Sequence, residues 1–383
     1  MTSSPHIRIM VTGGHVTPAL AVIDLLKQKY PTWEIIFIGR RHAFERDTHE
    51  SQEYRLIKER MLPFLPLISG RLQRNISPAS FLSLLKVPIG FAQGFFYCLW
   101  FRPSGIVSFG GYLALPVVFA AWLLGIPVVT HEQTRVAGLA NRMIACVAKR
   151  VLLTYPETAA QFPKSKTVVT GLPIRKRIFS PPTHPSYFVP NDLPVLYITG
   201  GTTGSVSLNR LIFPLIPAFV SRFFIVHQVG EPSLSDAQSV RAGLSKKLAT
   251  HYHFASYFSV DDHSWSLNRA ALVIGRSGAN TVGEIAACGK IALFIPLPWA
   301  GGNEQYHNAK FLKDAGSAKI LLQDTCTKET IRQAIDDLLE NARDYRAHAA
   351  EIQKRWPNDG AERVVRALDE AFSIEHGVSR VVS

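Results

Sequence analysis

Cysteine is scarce. Cys98, Cys146, Cys288 and Cys326 are spread through 383 residues with no Cys-x-x-Cys pair. That spacing excludes a zinc site and a disulfide framework and fits a reducing cytoplasm. Acidic residues are also few: 29 Asp and Glu face 42 Lys and Arg, for a formal net charge of +13. A basic surface attracts polyanions, nucleic acid and anionic lipid alike. The basic residues are scattered, with Arg40-Arg41, Lys149-Arg150 and Arg175-Lys176-Arg177 as the densest groups. No run interleaves them with aromatics as single-strand nucleic-acid binders do, so an anionic membrane surface is the expected partner and nucleic acid is not. An Asp-x-Asp at a strand end is missing too. Asp261-Asp262 precedes a helix and lacks the spacing, so no metal and no cofactor is expected.

No secretory signal is expected, because the opening six residues are polar and the apolar run 7–11 is too short. One apolar run, residues 81–101, is long enough to need care. That stretch matches a membrane span in length, but Lys86, Pro88, Gln93 and two glycines interrupt it. Arg71, Arg74 and Arg102 flank it. An interfacial helix carrying Phe91, Phe95, Phe96, Leu99 and Trp100 fits better than a span, with a buried core helix as the alternative.

What is present is a globular composition, with 47% hydrophobic and 19% charged residues, and enough chain for two domains. Strand-like runs at residues 7–11, 34–38, 105–108, 127–131, 151–153 and 167–170 alternate with helical runs such as 18–29, 115–124 and 138–148. Proline-rich residues 180–186 and 189–192 read as a link between domains. A second alternation runs through 195–199, 223–229, 253–257, 271–274, 291–295 and 318–322 into a mainly helical tail broken near 356–360. The pattern predicts an α/β chain of two Rossmann-like, doubly wound units, with ligands at the carboxyl ends of the strands, in the cleft between the units.

Four stretches could carry chemistry. The first turn reads Thr12-Gly13-Gly14-His15-Val16-Thr17-Pro18. Its glycines let backbone approach a phosphate or sugar at a helix N-terminus, although it is not GxGxxG. His15 stands where strand becomes helix; it either takes a proton from a sugar hydroxyl or merely caps the helix. The second unit opens alike with Gly200-Gly201-Thr202-Thr203-Gly204-Ser205, suited to a diphosphate. The third stretch, residues 275–284, ends a strand in Arg276-Ser277-Gly278 and carries Glu284 into a helix, where a carboxylate can accept from both ribose hydroxyls. Downstream, Asn303-Glu304-Gln305 brings amides and carboxylate to another loop-to-helix junction, a chemistry that suits sugar hydroxyls.

These segments resemble the MurG family of peptidoglycan N-acetylglucosaminyltransferases. The similar stretches are TGGHVTPALAV, SFGGYLALPVVFAAWLLGIPVVTHEQ, AGLANR, TGLPIR, GGTTGSVSLN, GRSGANTVGEIAACG and NEQYHNA, in the family's order from residue 12 to residue 309. The resemblance implies a glycosyltransferase B fold whose last helix, here 361–372, returns to the first domain. The implied domains are 1–172 with 358–383, facing acceptor and membrane, and 173–357, binding the UDP-sugar.

The implied reaction is inverting transfer of N-acetylglucosamine from UDP-GlcNAc to the C4 hydroxyl of lipid I, undecaprenyl-pyrophosphoryl-MurNAc-pentapeptide. Its product is lipid II, for peptidoglycan synthesis, cell wall biogenesis, cell shape and cell division. The implied place is the cytoplasmic face of the cell membrane, as a peripheral protein. The alternatives are a UDP-sugar-dependent diacylglycerol glycosyltransferase of the same fold and a non-catalytic nucleotide- and membrane-binding scaffold.

By the same resemblance, His15 is the base. Thr202, Arg276, Ser277, Gly278 and Ala279 surround the diphosphate and nucleotide, Val260 meets uracil through its backbone, Glu284 binds ribose, and Glu304 with Gln305 holds the sugar. Thr12, Gly13, Gly14, Tyr112, His131, Glu132, Gln133, Thr134 and Arg175 fall in acceptor or cleft motifs. Three departures stand out. The first loop lacks the leading glycines of the family's GGTGGH. Thr134 stands where the family usually has Asn, and Glu304 replaces the first Gln of a Gln-Gln pair.

Overall fold

A computed structural model describes residues 7–42, 50–68, 86–190 and 193–372. The chain divides into two compact units, one of Met1–Ile174 with Asp359–Ser383 and the other of Arg175–Asn358.

The strands of the first unit are β1 (Arg8–Thr12), β2 (Glu34–Gly39), β3 (Phe64–Pro66), β4 (Gly105–Ser108), β5 (Val128–Glu132), β6 (Arg150–Leu153) and β7 (Thr167–Val169). They form one parallel sheet in the order β3-β2-β1-β4-β5-β6-β7. Its central strands are buried along nearly their whole length because helices cover both faces, as a parallel sheet requires. Met10, Ile38, Ile106, Val117, Ile144 and Val151 share its core.

The second unit repeats the plan with β8 (Val195–Thr199), β9 (Phe224–Gln228), β10 (Tyr252–Ala255), β11 (Ala270–Gly275), β12 (Ala292–Phe294) and β13 (Ala318–Ile320), ordered β10-β9-β8-β11-β12-β13. Leu196, Ile198, Leu208, Ile225, Ile274 and Ile335 lie in its core. In each sheet the chain order reverses between two central neighbours, β1 beside β4 and β8 beside β11. The loops leaving those strands are where such sheets bind ligands.

The structure departs from the sequence reading in four places. The edge strand β3 and the helix Gln52–Glu59 escaped prediction; a three-residue strand carries too little alternation to be read. Residues 180–190 are not a bridge between units but part of the second one. Asp262 accepts from the backbone N–H of Ser186 at 2.7 Å and from its hydroxyl at 2.8 Å, and Tyr187 stacks on His253 with ring centroids 3.9 Å apart. Asp261 and Asp262 lie within the first turn of the helix Val260–Arg269 rather than before it.

The fourth departure is from the core-helix alternative for the apolar stretch. Residues 81–85, Arg71 and Arg74 lie outside the described residues. The remainder is the helix Lys86–Phe101, and it is neither a span nor a core helix. Gly90, Gly94, Cys98 and Phe101 form its buried face. A Cβ at Gly94 would meet the backbone of Val117 at 3.1 Å, so glycine sets how closely this helix packs on the helix Ala114–Leu123. Opposite, Phe96, Leu99 and Trp100 are 61%, 51% and 59% exposed, while Phe91 and Phe95 are half-buried between the faces. No helix among the described residues is long and apolar enough to cross a membrane.

The last described helix, Gly360–Phe372, belongs to the first unit and packs on the helix Val16–Lys29. A Cβ at Gly360 would lie 2.3 Å from the Leu172 carbonyl, which only glycine permits. Buried Asp369 accepts from the Tyr30 hydroxyl at 2.5 Å and from Lys29 Nζ at 3.0 Å.

Candidate functional site

In the first unit, backbone geometry comes first. Gly13 has φ +142°, and a Cβ there would sit 2.8 Å from the Phe109 backbone, so the β1 and β4 loops touch main chain to main chain. The Gly14 N–H donates to the Gly110 carbonyl at 2.9 Å. Gly110 and Gly111 follow with φ +74° and +80°, in the left-handed region that glycine tolerates. This lock places His15 at the start of the helix Val16–Lys29.

His15 occupies the N-cap position but makes no side-chain capping hydrogen bond. The capping alternative therefore fails. The imidazole is partly buried, and burial lowers its pKa below the usual histidine value, with the Glu132 carboxylate pulling the other way. A ring that is neutral at neutral pH can accept a proton.

Behind it, β5 ends in a buried polar run. Glu132 is saturated: Oε1 accepts from the Thr134 N–H at 2.9 Å, with the Thr134 hydroxyl at 2.7 Å, and Oε2 accepts from Asn141 Nδ2 at 2.8 Å and the Gly138 N–H at 3.2 Å. Thr134 thus braces the carboxylate where the family usually has Asn. Asn141 and Gly138, in the AGLANR stretch but not singled out there as site residues, complete the brace. A carboxylate held this firmly is fixed in position near His15.

His131 is fully buried and pairs Nε2 with the Gly171 carbonyl at 3.0 Å, leaving Nδ1 without a hydrogen-bond partner. Desolvation drops its pKa to about 4. Thr12 Oγ1 and Gln133 Oε1 are likewise buried and unpartnered, while Gln133 Nε2 donates to the His131 carbonyl at 3.1 Å. Tyr112 is engaged with Arg40, whose guanidinium lies 4.5 Å from the ring centroid.

In the second unit, the loop after β8 turns on Gly201 and Gly204, at φ +86° and +72°. Its Ser205 caps the helix Val206–Ile212. Gln228 fastens this loop from β9: Nε2 donates to the Gly201 carbonyl at 2.7 Å while Oε1 accepts from the Phe258 N–H at 3.1 Å. Thr202 is half-exposed on the loop.

Arg276 is nearly buried and directs its donors into the protein. It reaches Ser205 Oγ at 3.0 Å, Ser207 Oγ and Gln323 Oε1 at 2.6 Å, and the Ile295 carbonyl at 2.7 Å. Burial lowers its pKa to about 10, still charged at neutral pH. It shapes the diphosphate-type loop from behind.

The helix Ala279–Ala287 begins at Gly278 with no side-chain cap, so its first N–H groups are not consumed locally. Ser277 Oγ is buried and unpartnered. Val260 opens the helix capped by Ser259, whose Oγ accepts from the Asp262 N–H at 3.1 Å. Glu304 and Gln305 are half-buried at the start of the helix Glu304–Asp314, behind left-handed Gly302 and Asn303. Gln305 Oε1 accepts from the Leu297 N–H at 3.0 Å.

Glu284 is buried, 6% exposed. His263 Nε2 lies 2.9 Å from Oε2, and Arg175 Nη2 lies 3.8 Å from Oε1. Arg175, read from sequence as an acceptor residue, thus stands beside the ribose-type carboxylate. Burial alone would raise the Glu284 pKa, but the His263 contact and the Arg175 charge together hold it below the usual carboxylate value.

Comparison with known proteins agrees with this geometry. Residues 10–153 match the glycosyltransferase family 28 N-terminal domain and residues 195–364 match the glycosyltransferase family 28 C-terminal domain. A Treponema denticola relative is 35% identical over 85% of this chain and 86% of its own. A Desulforudis audaxviator relative is 31% identical over 87% and 88%. Both are named UDP-N-acetylglucosamine–N-acetylmuramyl-(pentapeptide) pyrophosphoryl-undecaprenol N-acetylglucosamine transferase.

Acinetobacter baumannii MurG matches in structure with TM-score 0.67 and 29% identity, over 95% of this chain and 99% of that one. The calicheamicin glycosyltransferase CalG4 matches in fold alone, with TM-score 0.66 and 13% identity over 98% and 100%. Two parallel doubly wound units with glycine loops at their switch points thus define a B-type glycosyltransferase. Within glycosyltransferase family 28, the chain belongs to the MurG family.

Proposed function

We propose that the protein transfers N-acetylglucosamine from UDP-GlcNAc to the C4 hydroxyl of lipid I, undecaprenyl-pyrophosphoryl-MurNAc-pentapeptide, with inversion, producing lipid II for peptidoglycan synthesis. The observation that carries this reading is Glu284, a buried carboxylate held below its usual pKa within a helix whose N-terminus has no side-chain cap. A fixed anion accepts from ribose hydroxyls, and the adjacent N–H groups favour a diphosphate.

The second unit is the donor domain. Glu284 takes the ribose, the Val260 backbone the uracil, Thr202 and Ser277–Ala279 the diphosphate, and Glu304 with Gln305 the sugar hydroxyls. The first unit is the acceptor domain. Neutral His15 removes the C4 proton as that oxygen attacks the anomeric carbon. The departing UDP gains negative charge, which helix N-terminal N–H groups stabilise without reorganising. Thr12, Gly13, Gly14, Tyr112 and the 131–134 run line the acceptor side.

Lipid I stays in the bilayer, so the protein works at the cytoplasmic face of the membrane as a peripheral enzyme. The exposed apolar face of the helix Lys86–Phe101 supports this. The test offers radiolabelled UDP-GlcNAc with lipid I and, in parallel, UDP-glucose or UDP-galactose with diacylglycerol. Labelled lipid II from the first pair is the expected product. Glycosylated diacylglycerol alone would replace the assignment with a glycolipid synthase, and UDP binding without transfer would leave a scaffold.

A further inference from the structure

We infer that His263, oriented by Tyr197, is a positioning residue for nucleotide recognition: it fixes one oxygen of Glu284 and leaves the other as the single acceptor for ribose. The inference rests on the reading of Glu284 as the ribose carboxylate.

Three elements meet here. Tyr197 lies on β8, His263 on the helix Val260–Arg269 and Glu284 on the helix Ala279–Ala287. The Tyr197 hydroxyl is 2.7 Å from His263 Nδ1, and His263 Nε2 is 2.9 Å from Glu284 Oε2. An ionised carboxylate offers only acceptors, so Nε2 carries the hydrogen. With a single ring proton, on Nε2, Nδ1 is an acceptor to which the phenol can donate. Tyr197 is fully buried, and burial raises its pKa, so the phenol keeps its proton. The donors therefore run one way, from Tyr197 through His263 to Glu284.

The consequence lies at the far oxygen. Glu284 Oε1 is buried and has no hydrogen-bond partner, with the Arg175 guanidinium 3.8 Å away. One oxygen has two lone pairs, enough for two vicinal hydroxyls. The carboxylate does not have to surrender an existing bond to meet them, because His263 holds only Oε2. Without His263 the buried carboxylate would lose its closest hydrogen-bond donor and could turn or take up a proton. Ribose recognition would then weaken more than recognition of base or diphosphate, which other residues supply.

Calorimetry with UDP and with 2′,3′-dideoxyuridine diphosphate tests this. Wild type is expected to prefer UDP. His263→Leu should weaken UDP on the order of tenfold, as for loss of a hydrogen bond to a charged group, and weaken the dideoxy nucleotide far less. Tyr197→Phe should show a smaller loss of the same kind. His263→Gln, whose amide N–H can still donate to Glu284, should recover most of the discrimination. Thermal melts of each variant separate misfolding from local loss, since a destabilised fold lowers both affinities together. An unchanged ratio of the two affinities in folded His263→Leu would overturn the inference. A wild type that binds both nucleotides equally would instead overturn the reading of Glu284 itself.

Discussion

At the scale of the residue, two side chains are proposed to carry different kinds of work. His15 has no capping bond and a lowered pKa, the properties of a base rather than of a structural cap. His15→Ala is expected to lower turnover by about 100-fold or more, the usual worth of a general base, with little change in UDP affinity. Single-turnover kinetics beside calorimetry measure both, and an unchanged rate would remove the base role. Glu284 is proposed as a binding group. Glu284→Ala should cost about 2–3 kcal/mol in UDP affinity, because it removes a charged acceptor and leaves Arg175 and His263 facing a gap. Equal UDP binding by the mutant would place the ribose elsewhere. Thr134 illustrates a departure absorbed locally, since its N–H and hydroxyl both meet Glu132 Oε1.

At the scale of the element, the helix Lys86–Phe101 has two faces with separate tasks. Its glycine face is determined by packing, as Gly90 has room for no Cβ against the Ile68 carbonyl 2.3 Å away. Its other face leaves Phe96, Leu99 and Trp100 in solvent. Water-exposed aromatic and aliphatic side chains gain roughly 1–2 kcal/mol each on partial insertion into a lipid interface. Replacing Phe96, Leu99 and Trp100 together by Ser is expected to weaken binding to anionic vesicles about 100-fold or more. It should also spare transfer to a short-chain soluble acceptor. Vesicle sedimentation and the two transfer assays decide the matter; retained vesicle binding would move the membrane surface to another element. Because these three side chains are exposed, the fold should melt normally, unlike a Gly94 substitution aimed at the Val117 backbone.

At the scale of the whole molecule, the buried histidines set a pH response. Burial depresses His131, His227 and His253 to about 4, 3 and 4, each below the ordinary 6.5. The unfolded chain takes up protons near pH 6.5 that these sites refuse. Stability is therefore fully present above that value and is lost as pH falls toward the folded values. Urea melts should show the unfolding free energy dropping by at least about 1 kcal/mol per pH unit between pH 6 and 5. A flat profile across that window would mean the three rings are hydrated in solution.

Much of this molecule could be read from consecutive residues. The alternation of apolar strands and helical runs specified two doubly wound units, and Thr12–His15, Gly200–Ser205 and Gly275–Ala279 marked the loops at their switch points. Those signals are local: a strand buried on both faces must be apolar along its length, and a backbone at φ +86° or +142° needs glycine wherever it stands. Partnerships across the fold were not written locally. Tyr197 meets His263 across 66 positions, Arg276 reaches Ser205 across 71, and Asp369 meets Tyr30 across 339. Strand order and helix packing decide such meetings. The sequence alone therefore determined the architecture and the glycine loops at the switch points. Only the tertiary structure decided that Arg276 braces a loop from behind, that the apolar helix buries one face and bares the other, and that His263 holds Glu284. Each of these depends on which side chain a distant element brings within 3 Å, and no local periodicity encodes that.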